Sequence, residues 1–451
     1  MLRTLLLTLF ASAVLLTAAS NPARPVTFSE QIAPILFTQC ATCHHPGEAA
    51  PFSLTSYADA KKRGQLIAAV TKSRYMPPWH AAPNFGEFAG ERRLTDDQIA
   101  LIGEWVKEGM PQGDAAKIPA LPHFVEGWHL GKPDLVVTMP KGFALPASGP
   151  DIYRNFVVPL NLPEDKWVRA VEFHPGTRSV VHHCLFSYDA TGELRKRDGA
   201  DGKPGFSGMD GGRSRNGGSL GGWAVGATPV PLAEGLAFPL PKGSDLVLQE
   251  HFQLTGKPET EQSTVGIYFA DKAPERRLMG IQVPAIFGLG AHMDIPAGAK
   301  AYTIRDSFTV PVDVKVWGAG AHAHYLAKDM KLVATRPDGK TVPLLWIPDW
   351  DFAWQDRYPY QEPFVLPKGT RIDVTLVYDN TENNPHQPSH PPKQVWWGEG
   401  SFDEMGSMTL QVTTVRKEDQ AELARAVAAA KGKAILAATA DGTVRRLRQS
   451  R

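Results

Sequence analysis

The hydrophobic positions of the chain follow two different periods. Near the N-terminus, Ile32 and Leu36 recur at helical spacing, and Tyr57–Val70 has the same pattern. Thr95, with Gln98 three residues later, predicts a capping box at the start of a further helix. The first part of the chain is therefore predicted to be a small all-α domain.

After the proline-containing linker Asp114–Pro133, apolar and polar residues alternate with a period of two. Short segments of this kind between Gly, Pro and Asp are typical of antiparallel β-sandwiches, and we expect two such domains of the jelly-roll-like kind. The glycine-rich stretch Asp198–Gly222 is predicted to be a long surface loop, and Glu418–Ala438 a short C-terminal helix. The predicted strands are Leu135–Met139, Ser179–Tyr188, Asp245–Leu254, Ser307–Trp317 and Arg371–Tyr378.

The composition narrows the class of protein. With 451 residues, 43% of them hydrophobic and 21% charged, the chain is too long for one core and too mixed for disorder. Its 48 Lys and Arg residues balance its 47 Asp and Glu residues, so we expect no nucleic-acid partner. The three cysteines, Cys40, Cys43 and Cys184, are too few for a disulfide-stapled fold. They need another role.

The first residues have the pattern of a signal peptide. Arg3 precedes the apolar run Leu5–Leu16, small residues follow, and cleavage is expected near Ala19 or Ser20. The run is shorter than the roughly 20 residues of a membrane-spanning helix, and no later segment is long and apolar enough. We therefore expect a periplasmic or secreted protein with no membrane anchor after cleavage.

Residues Cys40–His44 form a C-x-x-C-H motif. In this motif the thiols of Cys40 and Cys43 would add to the vinyl groups of a haem, and His44 would be the proximal iron ligand. Zinc is the alternative, but it would need two further ligands and the chain has no second cysteine pair. Residues 26–114 therefore resemble a small mono-haem cytochrome c, which implies one covalent haem c.

The sixth ligand of the haem iron is predicted to be Met76. This residue lies in a proline-stiffened loop between two predicted helices, where small class I cytochromes have their distal methionine. A methionine raises the potential of the iron relative to a second histidine. His80 and His45 are competing ligands, and a core position is the remaining alternative for Met76.

Histidines in the β part of the chain are grouped in strand-like segments. His322 and His324 are two apart, so both imidazoles would face one side of a strand and could bind one ion. Two imidazoles with little negative charge favour copper or zinc. The neighbours His182 and His183 can reach one ion only where their strand bulges or ends, and His251 would be a third imidazole from another strand.

Four short motifs occur in the order found in the copper type II, ascorbate-dependent monooxygenases, the family of peptidylglycine alpha-hydroxylating monooxygenase and dopamine beta-monooxygenase. The part of the chain that resembles this family runs from about Pro133 to Arg416. Each motif is weak alone, and the ordered set is much stronger. The motifs are Val181-His182-His183, Gln249-Glu250-His251-Phe252, His322-Ala323-His324 and Asp403-Glu404-Met405.

The resemblance implies two mononuclear copper sites, one for electron transfer and one that binds and activates O₂. A thioether ligand at the second site favours Cu(I), the state that must meet oxygen. Met408 is a rival to Met405 for that role, and either can be a core residue. The implied ligands are His182, His183 and His251 for the first copper, and His322, His324 and Met405 for the second.

The sequence also departs from the family pattern. Animal members are rich in disulfides, whereas only Cys184 would remain here after haem attachment, so apolar packing must hold the sandwiches together. Cys184 is either a small buried residue or a thiol close to copper. Peptide and catecholamine substrates are not inherited, because the substrate-binding residues of the animal enzymes cannot be placed. Supporting or surface positions are expected for His174, His292, His386 and His390.

These patterns predict an exported copper-dependent monooxygenase that hydroxylates a C–H bond of a small organic substrate with O₂. A periplasmic donor would reduce the coppers through the fused haem. The alternatives are a haem and copper electron-transfer or metal-binding protein without hydroxylase activity and, with less support, a zinc hydrolase. The predicted units are a signal peptide (1–20), a cytochrome c domain (26–114), a linker (115–133), two copper monooxygenase sandwiches (134–285 and 286–416) and a C-terminal helix and tail (417–451).

Overall fold

The structure is a computed structural model that describes residues 25–449 except residues 49, 150, 209–215, 226 and 228. The predicted signal peptide, residues 1–20, lies outside the described residues. Within them, no helix is long and apolar enough to cross a membrane. The helices are α1 (Ala33–Gln39), α2 (Tyr57–Lys72), α3 (Asp96–Lys107), α4 (Gln420–Ala440) and α5 (Thr443–Gln449), with a π-helical turn at Phe28–Ile32 and 3₁₀ turns at Ala115–Lys117, Leu194–Lys196, Ala285–Gly288 and Lys417–Asp419.

Eleven strands between residues 135 and 269 form the first sandwich. They are β1 (Leu135–Thr138), β2 (Phe143–Leu145), β3 (Ile152–Pro159), β4 (Lys166–His174), β5 (Val181–Asp189), β6 (Phe206–Ser207), β7 (Gly217–Ala224), β8 (Phe238–Leu240), β9 (Asp245–Phe252), β10 (Glu259–Glu261) and β11 (Thr264–Phe269). One sheet has the order β6-β3-β9-β5-β7 and the other the order β1-β11-β4-β8, while β2 pairs with β10. An apolar core that includes Phe156, Leu248 and Phe252 lies within this sandwich.

Ten strands between residues 279 and 414 form the second sandwich. They are β12 (Met279–Val283), β13 (Asp294–Ile295), β14 (Tyr302–Thr309), β15 (Val314–Ala323), β16 (Ala327–Thr335), β17 (Thr341–Ile347), β18 (Arg357–Leu366), β19 (Arg371–Tyr378), β20 (Val395–Trp396) and β21 (Gly406–Thr414). The sheets have the orders β12-β21-β15-β18 and β14-β19-β16-β17, and β13 pairs with β20. Helix α4 packs on this sandwich through Leu423.

Two local predictions are confirmed residue by residue. Thr95 caps α3, and the side chain of Gln98 returns a hydrogen bond to the Thr95 amide, which completes the capping box. Strand β19 covers the predicted Arg371–Tyr378, and its alternate residues, Ile372 among them, are buried in the core. Both signals lie within a few residues, so the local sequence is enough to specify them.

Two other element predictions need correction. The predicted strand Ser307–Trp317 is interrupted between β14 and β15, because Pro311 has no amide hydrogen for a sheet ladder. The predicted glycine-rich loop 198–222 contains the start of β7, which pairs with β5. The glycines allow this edge strand to lie close to its neighbour: a Cβ at Gly218 would meet the Tyr188 ring at 2.6 Å.

The predicted fold class, with its N-terminal all-α cytochrome c domain, is wrong. The described chain is mostly β-sheet, in six sheets arranged like sandwiches, and its helices are few and short. The segment between α2 and α3 does not close a helical domain. Its residue Phe88 forms a β-bridge with Tyr360, and the amide of Ala82 donates to the Trp346 carbonyl. Because Ala81 and Phe88 are buried in the core of the second sandwich, this segment belongs to a β structure.

The Phe88→Ala variant tests this packing. Phe88 is 5% exposed and stacks on Tyr360, so its loss should lower the free energy of unfolding by about 3 kcal/mol. Denaturant unfolding followed by tryptophan fluorescence measures the change. The matched control is Phe402→Ala, at a phenylalanine that is 65% exposed, and it should have little effect. Equal effects of the two substitutions would contradict the packing described here.

Candidate metal centres

Three histidines of the first sandwich converge on one point. His182 and His183 lie on β5, and His251 lies on the neighbouring β9. The Nδ1 atom of His182 is 3.1 Å from Nδ1 of His183 and 3.1 Å from Nδ1 of His251. Two nitrogens bound to one tetrahedral ion are about 3.3 Å apart, so these atoms are spaced as ligands of a single ion would be.

A β-bulge brings the two adjacent histidines together. On β5, Val181 lies opposite Phe252 and His183 lies opposite His251, so His182 is the extra residue between two regular pairs. In a regular strand His182 and His183 would point to opposite faces. The requirement that the strand be irregular at this position is therefore confirmed.

Hydrogen bonds direct the lone pairs of these imidazoles inward. His182 Nε2 is 2.6 Å from the Ala353 carbonyl oxygen, and His251 Nε2 is 2.9 Å from Asp151 Oδ2. Both partners are acceptors, so each Nε2 carries a proton and the Nδ1 atom is left as the nitrogen that can bind an ion. Lone pairs only 3.1 Å apart repel one another unless a cation lies between them, which fits a metal ion at this point.

Two rings of the first centre, those of His182 and His183, are held in the neutral form. Burial, together with the neighbouring His251, lowers the pKa of His182 to about 4. Burial and the adjacent imidazoles hold the pKa of His183 well below its ordinary value. Neutral imidazole is the form that binds metals, so at neutral pH no proton has to leave His182 or His183 before an ion enters.

The second pair of histidines lies at the end of β15 and just after it. His322 Nδ1 is 2.6 Å from Gln355 Oε1, and His324 Nδ1 is 3.1 Å from the Asp403 carbonyl oxygen. Their ring centroids are 5.4 Å apart. His324 is fully buried, its Nε2 lacks a hydrogen-bond partner among the described residues, and burial lowers its pKa to about 3. An unpartnered, neutral, buried nitrogen is suited to metal ligation.

The strand register relates the two candidate methionines to this pair. His322 lies opposite Ser407 and Ala323 opposite Gly406, so extending the register by one residue brings Met405 opposite His324. Residues opposite each other share a face of the sheet. Met408 lies opposite Ala321, on the other face from His322, so the register favours Met405 over Met408 as a ligand.

A buried carboxylate fixes the chain beside Met405. Glu404 Oε1 accepts hydrogen bonds from the amides of His324 at 2.5 Å and Met405 at 2.8 Å, and Oε2 accepts one from Leu326 at 2.8 Å. Burial raises the pKa of Glu404 to about 8, and these three amides act in the opposite direction. The carboxylate therefore connects the segments that contain His324 and Met405.

One loop connects the two histidine groups. The β17–β18 loop, residues 348–356, accepts the His182 hydrogen bond through Ala353 and the His322 hydrogen bond through Gln355. The buried ring of Phe352, in the same loop, lies between the two histidine groups. Its centroid is 6.2 Å from that of His251 and 5.6 Å from that of His324. Sequence reasoning missed Phe352 and Gln355, because a loop without a motif or a period gives no signal.

The C-x-x-C-H residues lie in a turn after α1. The amides of Cys43 and His44 both donate to the Cys40 carbonyl, and neither cysteine forms a disulfide. His44 Nδ1 is 3.0 Å from the Phe52 carbonyl oxygen, so the proton lies on Nδ1 and Nε2 keeps its lone pair. Two free thiols and an imidazole with an available Nε2 fit covalent haem with His44 as its axial ligand.

The loop that contains Met76 lies between α2 and the second sandwich. Met76 is half-buried, and its amide donates to the Val70 carbonyl. The two histidines predicted as competing iron ligands have other contacts. His80 Nδ1 is 3.2 Å from the Asp349 carbonyl oxygen, and the His45 ring stacks on Phe124. His80 is therefore held by the β17–β18 loop, and Met76 as distal ligand stays a prediction.

Two polar side chains connect the haem-motif region to the rest of the chain. Arg92 forms an ion pair with Asp356 at the end of the β17–β18 loop, and its charge opposes the rise in the Cys43 pKa that burial causes. Arg178, shortly before β5, binds Glu48 at 2.7 Å. These two ion pairs join the neighbourhood of the motif to the β17–β18 loop and to the segment just before β5.

The remaining cysteine, Cys184, lies in the apolar core of the first sandwich. Cys184 is fully buried in the core of the first sandwich, and its Sγ is 3.7 Å from the Leu185 carbonyl oxygen. Burial raises the pKa of this thiol well above its ordinary value. Of the two roles considered for Cys184, the structure favours the small buried residue.

No protein-family model matches the chain, and comparison with curated proteins gives no match. Among solved structures, the infectious bursal disease virus Gx strain is 10% identical, with 63% of this chain and 73% of that chain covered and a TM-score of 0.17. The VP2 subviral particle of the same virus is 12% identical, with 63% of this chain and 72% of that chain covered and a TM-score of 0.17. Likeness at this level carries no argument about function.

The Asp151→Ala variant tests the first centre. Removing the acceptor of His251 Nε2 frees that ring to rotate, so copper affinity at this centre should fall about 10–100-fold. Competition with a copper chelator measures the affinity, and the exposed Asp271→Ala is the control. If Asp151→Ala binds copper as tightly as the control, Asp151 does not orient the ligand.

Proposed function

We propose that the chain is an exported, periplasmic or secreted, copper-dependent monooxygenase. It would hydroxylate a C–H bond of a small organic substrate with O₂, with electrons from a periplasmic donor passing through a covalent haem. The proposal depends on one observation: two separate groups of histidines, one with three converging Nδ1 atoms, contact the same β17–β18 loop.

When bound, the two coppers would supply one-electron transfer and O₂ activation, and the haem would supply electrons. Hydroxylation converts R–H and O₂ into R–OH and water, and it consumes two electrons and two protons. A one-electron donor must therefore act twice in each turnover. The protein's own part is to hold the ligands, to keep water out and to orient the substrate.

Backbone and side-chain acceptors would hold the ligands of both centres. The Ala353 carbonyl and Asp151 keep His182 and His251 with their Nδ1 lone pairs directed inward. Gln355 Oε1 accepts from His322 Nδ1 instead, so at His322 the Nε2 lone pair is the one left for an ion. Rings locked by such partners lose little freedom when an ion binds, which favours tight and well-defined ligation.

The buried ring of Phe352 would separate the two centres. It lies between His251 and His324 and is only 4% exposed, so it excludes water from the space between these two rings. Excluding water strengthens the electrostatic interactions inside a site and protects reactive species from side reactions.

The donor set at His322 and His324 supports oxygen chemistry over zinc hydrolysis. A zinc hydrolase needs a carboxylate free to act as a general base. Both acidic residues of the motif already accept backbone hydrogen bonds, Asp403 one from the Gly400 amide and Glu404 three. A thioether from Met405 would instead favour Cu(I).

The Cys40→Ala and Cys43→Ala double variant tests the haem. Mass spectrometry of the wild-type protein, produced with a haem-attachment system, should show the added mass of one haem, and the double variant should lack it. Cys184→Ala, the matched control at the third cysteine, should keep the added mass. Haem retained covalently without Cys40 and Cys43 would refute the assignment.

The His322→Ala and His324→Ala double variant tests the oxygen centre. In copper-loaded, fully reduced wild-type protein, stopped-flow absorption should show the haem reoxidising on mixing with O₂. In the double variant, haem reoxidation should be at least about tenfold slower, because the variant lacks the centre at which electrons pass to O₂. His386→Ala with His390→Ala also removes two histidines, outside both groups, and should behave as wild type.

Equal reoxidation rates in the wild type and the His322/His324 variant would overturn the relay to this centre. A rate difference without any hydroxylated product, over a panel of small organic donors, would instead favour the electron-transfer alternative. Product analysis with ¹⁸O₂ separates the two, since a monooxygenase transfers one labelled atom to the product.

A further inference from the structure

A third group of potential metal ligands lies outside both candidate centres, at the junction between the linker and the first sandwich. Glu172 and His174 are two apart at the end of β4 and share a face of the sheet. His129 approaches them from the linker. His129 Nδ1 is 3.0 Å from Glu172 Oε1, and His174 Nε2 is 2.9 Å from the same oxygen.

This carboxylate has more nitrogen neighbours than one oxygen can bind well. Besides the two imidazole nitrogens, Glu172 Oε1 accepts the His129 amide at 2.7 Å. Glu172 Oε2 accepts the Leu130 amide at 3.2 Å and the Tyr268 hydroxyl at 2.9 Å. A carboxylate offers about four lone-pair sites, two on each oxygen, so Oε1 has one donor too many. Both imidazoles cannot act as good hydrogen-bond donors to Oε1 at once.

We propose that His129, Glu172 and His174 bind a divalent metal ion of the zinc type. The three ligand atoms lie within 4.8 Å of one another, and a donor set of two imidazoles and one carboxylate suits zinc. An ion beside Oε1 would turn both crowded nitrogens into ligands and leave their protons on the outer ring nitrogens. This site is independent of the proposed monooxygenase function.

The surroundings support two of the three ligands, His174 and Glu172. Trp128 stacks on His174 with a centroid distance of 4.1 Å, which fixes the ring plane. The Leu130 amide and the Tyr268 hydroxyl hold the far carboxylate oxygen, as outer hydrogen bonds hold metal-binding carboxylates.

The site is reachable from solvent. Glu172 is 1% exposed, whereas the side chains of His129 and His174 are 32% and 26% exposed. An ion can therefore enter from the imidazole side and keep water as its fourth ligand. Bound there, it would attach the linker to the edge of the first sandwich.

The test uses the full-length chain with haem attached and with His183→Ala and His322→Ala, so that the two candidate copper centres do not compete. Zinc titration by calorimetry, with metal analysis after gel filtration, should give one ion per chain. Adding His129→Ala and His174→Ala should abolish this binding. Adding His386→Ala and His390→Ala instead, as a matched control, should leave it unchanged.

A milder variant separates metal binding from folding. His129→Asn keeps an N–H donor for Glu172 but removes the metal ligand, so zinc should be lost while the zinc-free protein unfolds as before. If the His183→Ala, His322→Ala protein binds no zinc, the proposal is overturned, and His129, Glu172 and His174 only hold the linker to β4 by hydrogen bonds. Zinc retained after loss of both His129 and His174 would overturn it as well.

Discussion

The hydrogen bond from His182 Nε2 to the Ala353 carbonyl is the contact on which the first centre depends. Its donor belongs to the first sandwich and its acceptor to a loop of the second, at 2.6 Å. Because the acceptor decides which nitrogen of His182 is protonated, the second sandwich determines where the lone pairs of the first point. Neither sandwich alone contains all the groups that form this arrangement.

Sequence reasoning succeeded where the controlling interactions are local. The capping box at Thr95 joins two residues three apart in the sequence, and His322 and His324, two apart, have ring centroids 5.4 Å from each other. For His182 and His183 the sequence stated the requirement, an irregular strand, but could not locate the bulge. The bulge depends on how β5 pairs with β9, about seventy residues away.

The failures also have a physical cause. The helical period around α1–α3 is real, yet it does not reveal that Phe88 inserts into the core of a sandwich whose strands begin nearly 200 residues later. Phe352 and Gln355 lie in an irregular loop, where neither period nor motif marks them. Such contacts depend on tertiary packing, and the periodicity and motifs of a single sequence do not predict them.

The spacing of the ligands along the chain has a consequence for maturation. Cys40, Cys43 and His44 lie within five residues, so they are adjacent even in an unfolded chain. The residues of the first histidine group, His182, His183 and His251, are instead far apart in the sequence. They come together only after β5 and β9 have paired. Under the proposed function, haem could therefore attach before the chain folds, whereas copper could bind only afterwards, and copper shortage would leave a folded protein that contains haem alone.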